Sequence, residues 1–355
     1  MKFVCVLLLV SLLLSAYLPL LNPGDYWIAG FAPLTFPLLF LLCLLSLPFW
    51  IWRRKKRYVF YTIAALLLCL RPALRTWGFH ILSRDNITKT SGSWEFTLMT
   101  YNTSSMGLQS YKINPQIRAA VFQQIHESQP DILCMQEFYT NDHPELSNHI
   151  DSLRNIGQYP YHYFTCDQVS WNTWYYGIVL FSRYPITAAT AIPCDVEANG
   201  SGRSFLQADI VVQQDTVRVF SVQFTSYMFS GNDYSNLRSH PVLVMGKMKR
   251  TFRRRAGQAR LLASLVAASP YPVIVAGDFN DPPASYSYHT AAAGLQDVFL
   301  QTGFGWGRTL SYLSPTLRID YILPDQHFDI KGARVLKTPT SEHFPVISRL
   351  SLKKH

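Results

Sequence analysis

Hydrophobic positions along this chain follow two different patterns. Over the first 90 residues they form long unbroken blocks. Phe3 to Leu21 is 19 residues without a charge, and Trp27 to Trp52 is a second uncharged run with tryptophan at both ends. Tyr58 to Leu70 is a third apolar run of 13 residues, closed by Arg71. A bilayer core takes about 20 apolar residues to cross as a helix. The pattern therefore predicts three candidate transmembrane helices, at about 3–21, 27–52 and 58–77. The third reaches that length only if Arg71 and Arg75 extend their charged ends to the interface. The first run also fits a cleaved signal peptide, although its apolar stretch is longer than a usual signal core.

From about Trp94 the blocks give way to short runs rich in β-branched and aromatic residues, separated by turn formers. Phe96–Asn102, Asp131–Met135, Gly177–Phe181, Phe205–Val212, Val217–Phe224, Pro272–Ala276, Arg318–Leu323 and Phe344–Leu350 read as strands. Pro115–Ser128 reads as a helix with Asn114 as cap and Pro115 at its first position. Leu237–Ser269 reads as a second, interrupted near Pro241. This predicts a membrane anchor over residues 1–90 and an α/β domain over 91–355, built on a two-layered β core flanked by helices.

Charge sharpens the division. The formal net charge is +10, but residues 1–90 hold 10 Lys+Arg against 2 Asp+Glu, and residues 91–355 hold 22 against 20. A nucleic-acid footprint over the whole second domain is thus not supported. The five cations Arg53 to Arg57 favour the cytoplasmic side, and the loop Asn22-Pro23-Gly24-Asp25 suits the far side. Three spans would then export the second domain. The cluster Arg71, Arg75, Arg84 and Lys89 opposes that export, and an interfacial third run would leave the domain in the cytoplasm. Six cysteines without CxxC or zinc spacing imply no disulfide framework.

Polar residues recur at the ends of the expected strands: Asn102, Glu137, the turn Gly277-Asp278-Phe279-Asn280, Asp320 within an apolar strand, and Glu342-His343 before the last strand. Taken singly, Asn102, Asp278 and Asn280 are ordinary turn formers, Glu137 is an ordinary helix-start acid, and a lone histidine is commonly structural. Asp320 is harder to dismiss, because an unpaired buried charge is costly. The set, in this order and each after an apolar strand, outweighs the separate readings.

The pieces TYNT (100–103), QE (136–137), GIVLFSRYPI (177–186), GDFND (277–281), RIDYIL (318–323) and SEHFPV (341–346) resemble the endonuclease/exonuclease/phosphatase superfamily. That group includes deoxyribonuclease I, abasic-site endonucleases, neutral sphingomyelinases and inositol-polyphosphate 5-phosphatases. This chain looks like a membrane-anchored, bacterial-type member. The resemblance implies a four-layered α/β sandwich of the deoxyribonuclease I type and metal-dependent hydrolysis of phosphate esters. It implies Mg²⁺ (or Mn²⁺), a hard cation that prefers carboxylate oxygens, with Glu137 as main ligand and Asn102 and Glu342 beside it. It further implies that Asp278 orients or deprotonates the attacking water, that Asn280 hydrogen-bonds a phosphate oxygen, and that Asp320 holds His343 cationic.

Two positions depart from the family pattern. The closing box reads Ser341-Glu342-His343 where Ser-Asp-His is usual. Ser221-Val222-Gln223 stands where many members carry Asn-x-His, and Gln223 donates a neutral hydrogen bond but no proton. With Gln223, Arg203 and Asn102 are the expected substrate contacts. Arg203 reads equally well as an exposed loop arginine. Lys247, Lys249, Arg250, Arg253, Arg254, Arg255 and Arg260 cover most of a helical turn. They read as a solvated face or as a contact for anionic lipid or a polyanionic substrate.

The expected partners are the bilayer and a phosphate ester: a lipid headgroup, an inositol phosphate or a nucleic acid. No obligate protein partner is implied. A membrane-bound nuclease is the rival within the enzyme reading. Outside it stands a catalytically weak binding protein on the same fold, favoured by Gln223 and Glu342.

Overall fold

The computed structural model describes residues 2–81, 87–88, 95–110, 116–142, 148–195, 202–227, 241–312, 314–338 and 342–353. The expected cap Asn114 with Pro115, the residues Arg84, Lys89 and Trp94, the helix start at Leu237, and Ser341 of the closing box lie outside the described residues. The chain forms two compact units that do not follow chain order. One holds Met1–Gly78, Tyr227–Arg260 and Asp281–Ala291; the other holds Phe79–Ser226, Leu261–Asn280 and Ala292–His355.

In the first unit, α1 (Lys2–Tyr17) continues into a short 3-10 turn to Leu20, α2 spans Ala32–Trp52, α3 spans Lys56–Leu68 and α4 spans Leu70–Thr76. Lys2–Leu20 and Ala32–Trp52 are long and apolar enough to cross a membrane, while α3 and α4 form a pair bent by 57°. The second helix starts five residues later than the apolar run predicts. Trp27–Gly30 forms a 3-10 turn instead, and Pro33 suits the start of a helix, where its missing N–H is not needed. Leu12, Phe36, Cys43, Ala65 and Cys69 form the buried seam between the helices. Phe3, Leu45 and Leu67 point outward and are exposed. Apolar residues on the outer face as well as the inner seam suit a lipid surrounding rather than water.

The same unit contains most of α7 (Pro241–Ala267) and α8 (Tyr286–Ala291). Phe252 of α7 meets Phe31 edge-on at 4.9 Å. Gly30 is required beneath it, because a Cβ there would lie 2.4 Å from the Phe252 ring. Arg255, fully buried, pairs with Asp281 at 3.2 Å and lies 4.1 Å over the Tyr227 ring. Arg75 at the end of α4 hydrogen-bonds His289 of α8.

The second unit carries the strands. In chain order these include the two-residue β1 (Gly78–Phe79), then β2 (Glu95–Asn102), β3 (Ile132–Asn141), β4 (Tyr161–Phe164), β5 (Gln168–Ser170), β6 (Trp174–Ser182), β7 (Ile186–Pro193), β8 (Ser204–Val212) and β9 (Asp215–Gln223). They continue with β10 (Val273–Asp278), the two-residue β11 (Phe304–Gly305), β12 (Asp320–Pro324), β13 (Phe328–Val335) and β14 (Val346–Leu352). One sheet runs β13-β14-β2-β3-β6-β4 with β5 beside β6, and the other runs β12-β10-β9-β8-β7. Their facing sides share a core of Phe96, Leu98, Ile132, Leu180, Leu206, Ile274 and Ile322. Helices α5 (Gln116–Ser128) and α6 (His149–Gly157) pack Val121, Ile125 and Leu153 against the outer side of the larger sheet. The result is the four-layered α/β sandwich.

All eight expected strands are present, with ends moved by a few residues. The strands missed are those whose pattern is weak. β7 is an edge strand of small residues, largely exposed, and β13 is broken by a bulge at Gly332. The strand at 131–137 runs on to Asn141, so Glu137 is not at a strand tip. It sits on a bulge between Met135 and Phe138 with a left-handed φ of 49°. A bulge re-aims one side chain without ending the strand.

Candidate active site

The site lies where β2, β9 and β10 end, β12 begins and β3 carries its bulge. Gln136, fully buried, donates to the Ser221 hydroxyl at 3.1 Å and accepts from Thr100 at 3.1 Å, tying one sheet to the other. Immediately beyond this tie lies Glu137. Its Oε1 accepts from the Gln223 amide at 2.7 Å and from the Asn102 amide at 3.2 Å. Its second oxygen accepts from no described residue. The Asn102 amide also donates to Asp278 Oδ2 at 2.9 Å, so one amide bridges the two carboxylates.

Asp278 is buried completely. The Asn280 backbone N–H donates to its Oδ1 at 2.7 Å and the Asn280 amide to its Oδ2 at 2.9 Å. Asn280 has φ 52°, one of the few side-chain types that tolerates the left-handed region. The same amide reaches the Phe224 carbonyl at 3.0 Å, so Asn280 is committed to shaping the turn as well as facing the site. Gly277 allows this turn to lie against β9: a Cβ there would stand 1.9 Å from the Val222 carbonyl oxygen.

His343 Nδ1 lies 3.0 Å from Asp320 Oδ2. Both are placed by one residue that the sequence did not single out. The buried Thr309 hydroxyl accepts the backbone N–H groups of Ile319 and Asp320, and its carbonyl accepts that of Phe344. No pattern around Thr309 marks it, because its task depends on three segments meeting. Asp278, Asp320 and His343 offer ligand-type atoms that all lie within 4.8 Å of one another.

Burial and the neighbouring Asp320 carboxylate push the Asp278 carboxyl up to about 7, against the pull of His343, Asn102 and the Asn280 N–H. Burial alone would lower the His343 imidazolium, but the Asp320 and Asp278 carboxylates outweigh it and raise it to about 10. At neutral pH His343 is therefore cationic and a donor at both ring nitrogens. The same three groups, Asp278, Asp320 and His343, also have the spacing of a cation site.

The remaining expected residues lie around this centre. Glu342 is exposed, with the Ser104 hydroxyl 3.5 Å from its carboxylate, and stands outside the buried group. Arg203 is half-buried at the start of β8, and its charge acts on Asp167, which also accepts from the Ser204 hydroxyl at 2.5 Å. Tyr176 on β6 escaped the sequence reading. Burial, then the charges of Glu137, Asp167 and Asp278, hold its phenol well above the usual range and keep it a donor. Its signal was slight: one aromatic residue before the Gly177 strand.

The carboxylates suit a hard cation: Glu137 keeps one oxygen that accepts from no described residue, the Asp278 carboxylate lies across the Asn102 amide from it, and the Asn102 and Gln223 NH2 groups hold its other oxygen in place.

No curated protein matches the chain. Residues 1–76 match a domain of unknown function. Among solved structures, an endonuclease/exonuclease/phosphatase from Beutenbergia cavernae superposes with a TM-score of 0.53 at 19% identity, covering 73% of this chain and 72% of that one. An endonuclease/exonuclease/phosphatase family protein from Bacteroides thetaiotaomicron gives 0.54 at 16% identity, covering 73% and 98%. The human Nocturnin catalytic domain with bound sulfate anion gives 0.51 at 17% identity, covering 73% and 94%. At such identities these superpositions show the fold. Residues 99–343 match the Endonuclease/Exonuclease/phosphatase family, whose members are generally hydrolases of phosphate esters using divalent metals. Over that span, more than half its length, this chain belongs to the Endonuclease/Exonuclease/phosphatase family.

Proposed function

We propose that this protein is a membrane-anchored hydrolase that cleaves a phosphodiester or phosphomonoester with the help of a divalent cation, Mg²⁺ or Mn²⁺. The observation that carries the reading is the bridging of Glu137 and Asp278 by the Asn102 amide, beside the paired Asp320 and His343. Glu137 would hold the cation, with Asn102 near it and Glu342 at the exposed edge. Bound there, the cation supplies polarisation of a phosphoryl oxygen and stabilises charge on the leaving group.

The chain's own residues account for the rest. Asp278, poised near neutrality, takes a proton from the attacking water once it is itself ionised. Asn280 holds the Asp278 carboxylate in orientation through two hydrogen bonds, and its amide hydrogens go to Asp278 and the Phe224 carbonyl rather than to the phosphate oxygen expected from the sequence. His343, kept cationic by Asp320, offers Nε2–H to a phosphate oxygen. Gln223 orients Glu137 through one amide hydrogen and has a second for substrate, and Arg203 is the candidate cation for a more distant phosphate.

The apolar helices favour a lipid-linked or envelope phosphate ester over chromosomal nucleic acid. The cation run between α2 and α3 favours a multi-pass arrangement in the inner or plasma membrane with the catalytic domain exported. The test is a Mg²⁺-dependent hydrolysis panel on the full-length protein, set against chelator. Plasmid nicking would identify a membrane-bound nuclease; release of headgroup or phosphate from phospholipids or inositol phosphates would support the leading reading. Ligand binding with no turnover on any substrate would leave a binding protein, the reading that the engagement of Gln223 with Glu137 favours.

A further inference from the structure

The basic cluster on α7 is not spread around the helix. Successive helical residues turn by about 100°, so Lys247, Lys249, Arg250, Arg253, Arg254 and Arg260 fall within one half of the circumference. Arg255 alone points the other way, into its buried pair with Asp281. Val242 and Leu243 begin this same cationic half and are strongly exposed, at 78% and 66%. A face that starts apolar and continues cationic is unusual for a water-facing helix.

Its neighbours within the first unit say what it faces. The Lys249 ammonium lies 5.4 Å over the Trp27 ring, Phe252 packs on Phe31, and Arg253 Nε donates to the Gly24 carbonyl at 3.1 Å. All three contacts are to the connection between α1 and α2, the two helices long and apolar enough to cross a membrane. That connection also exposes Tyr26 and Ile28. Tryptophan and tyrosine at the end of an apolar helix mark the headgroup level.

We infer that α7 is an interfacial helix, with Val242 and Leu243 at the acyl boundary and the exposed Arg250 and Arg260 against anionic phospholipid headgroups. The occupant of this face is the lipid surface itself. An amphipathic helix combining an apolar entry with a row of cations binds such surfaces through buried area and headgroup charge together. The inference rests on the anchoring read above for α1 and α2. It adds that the anchored protein selects anionic lipid, and that a segment in the middle of the chain belongs to the membrane-binding apparatus.

The test uses full-length protein in nanodiscs of phosphatidylcholine and phosphatidylglycerol in equal parts. The photo-crosslinker p-benzoylphenylalanine is placed at Leu243 or, separately, at the exposed α2 residue Leu41. Lipid adducts from both positions are the expected result. Adducts from Leu41 without any from Leu243 would overturn the inference and leave the anchor intact. None from Leu41 would remove the anchor reading, and the inference with it. In a second arm, Arg250→Glu with Arg260→Glu lowers the phosphatidylglycerol-to-phosphatidylcholine ratio retained on the purified protein by roughly fivefold per cation. An unchanged ratio in a variant with unaltered thermal unfolding would overturn the headgroup assignment.

Discussion

His343 and Asp278 illustrate how one buried cluster sets two opposite ionisations. Asp278 must lose its proton to act as a base, and its carboxyl is held near 7, so activity should rise with pH through about that value. In the proposed role His343 acts as a cation, and it is held near 10, so activity should fall only above that. Asp320→Asn removes the main charge that raises His343. The basic limb of the kcat/KM profile should therefore move to lower pH, toward the ordinary imidazole range of about 6.5. A pH–rate profile of the variant with its basic limb unmoved would contradict the pairing. Replacing Asp278 or His343 with Ala should lower kcat at least about a hundredfold, and single-turnover assays below each variant's unfolding transition would check this. Gly277→Ala is a different kind of lesion. Its Cβ would meet a backbone carbonyl that cannot rotate away, so the loss should be in stability, about 1–3 kcal/mol or more by denaturant unfolding. At this scale the sequence was informative about which residues the fold brings together. Asn102, Glu137, Asp278, Asn280, Asp320 and His343 all stood out as polar residues beside apolar strands. Thr309 and Tyr176 did not, because their partners come from other strands and loops.

Elements are held in register by buried polar ties as well as by apolar packing. Arg318, at 1% exposure, pairs with Asp297 at 2.5 Å just before β12. Asp297 in turn caps the helix α9 (Val298–Thr302), accepting from the N–H groups of Phe299 and Leu300. The Arg318 guanidinium also lies 5.0 Å over the Phe299 ring. This pair fixes the start of the strand that carries Asp320. Arg318→Met keeps the volume but leaves Asp297 without its buried cation, which should cost about 3–5 kcal/mol in denaturant unfolding. A loss below about 1 kcal/mol would mean that water or another group readily replaces the pair. The strand pattern predicted where β12 runs, since Ile319, Tyr321 and Leu323 are apolar. It gave no hint that Arg318 turns inward, because an arginine at a strand edge is ordinarily solvated.

The whole molecule divides by burial demand rather than by position in the chain. Tyr227–Arg260 and Asp281–Ala291 group with the N-terminal helices, although they lie on either side of the GDFN segment in sequence. Phe252, Arg255 and His289 each find their partners there. Membrane association should therefore depend on more than residues 1–76. Arg255→Met, which strands Asp281 without its cation, should lower the thermal stability of the full-length protein in detergent by several degrees.

The sequence by itself determined the apolar helices, the alternating strands and the order of the polar residues, because those follow from local hydrophobic period and residue chemistry. Tertiary structure alone decided that Glu137 rides a bulge rather than a strand tip, that Asn102 bridges two carboxylates, and that Arg255 turns inward to a buried pair with Asp281. Each depends on which segments pack together, and a linear pattern carries no record of contacts between residues far apart in the chain.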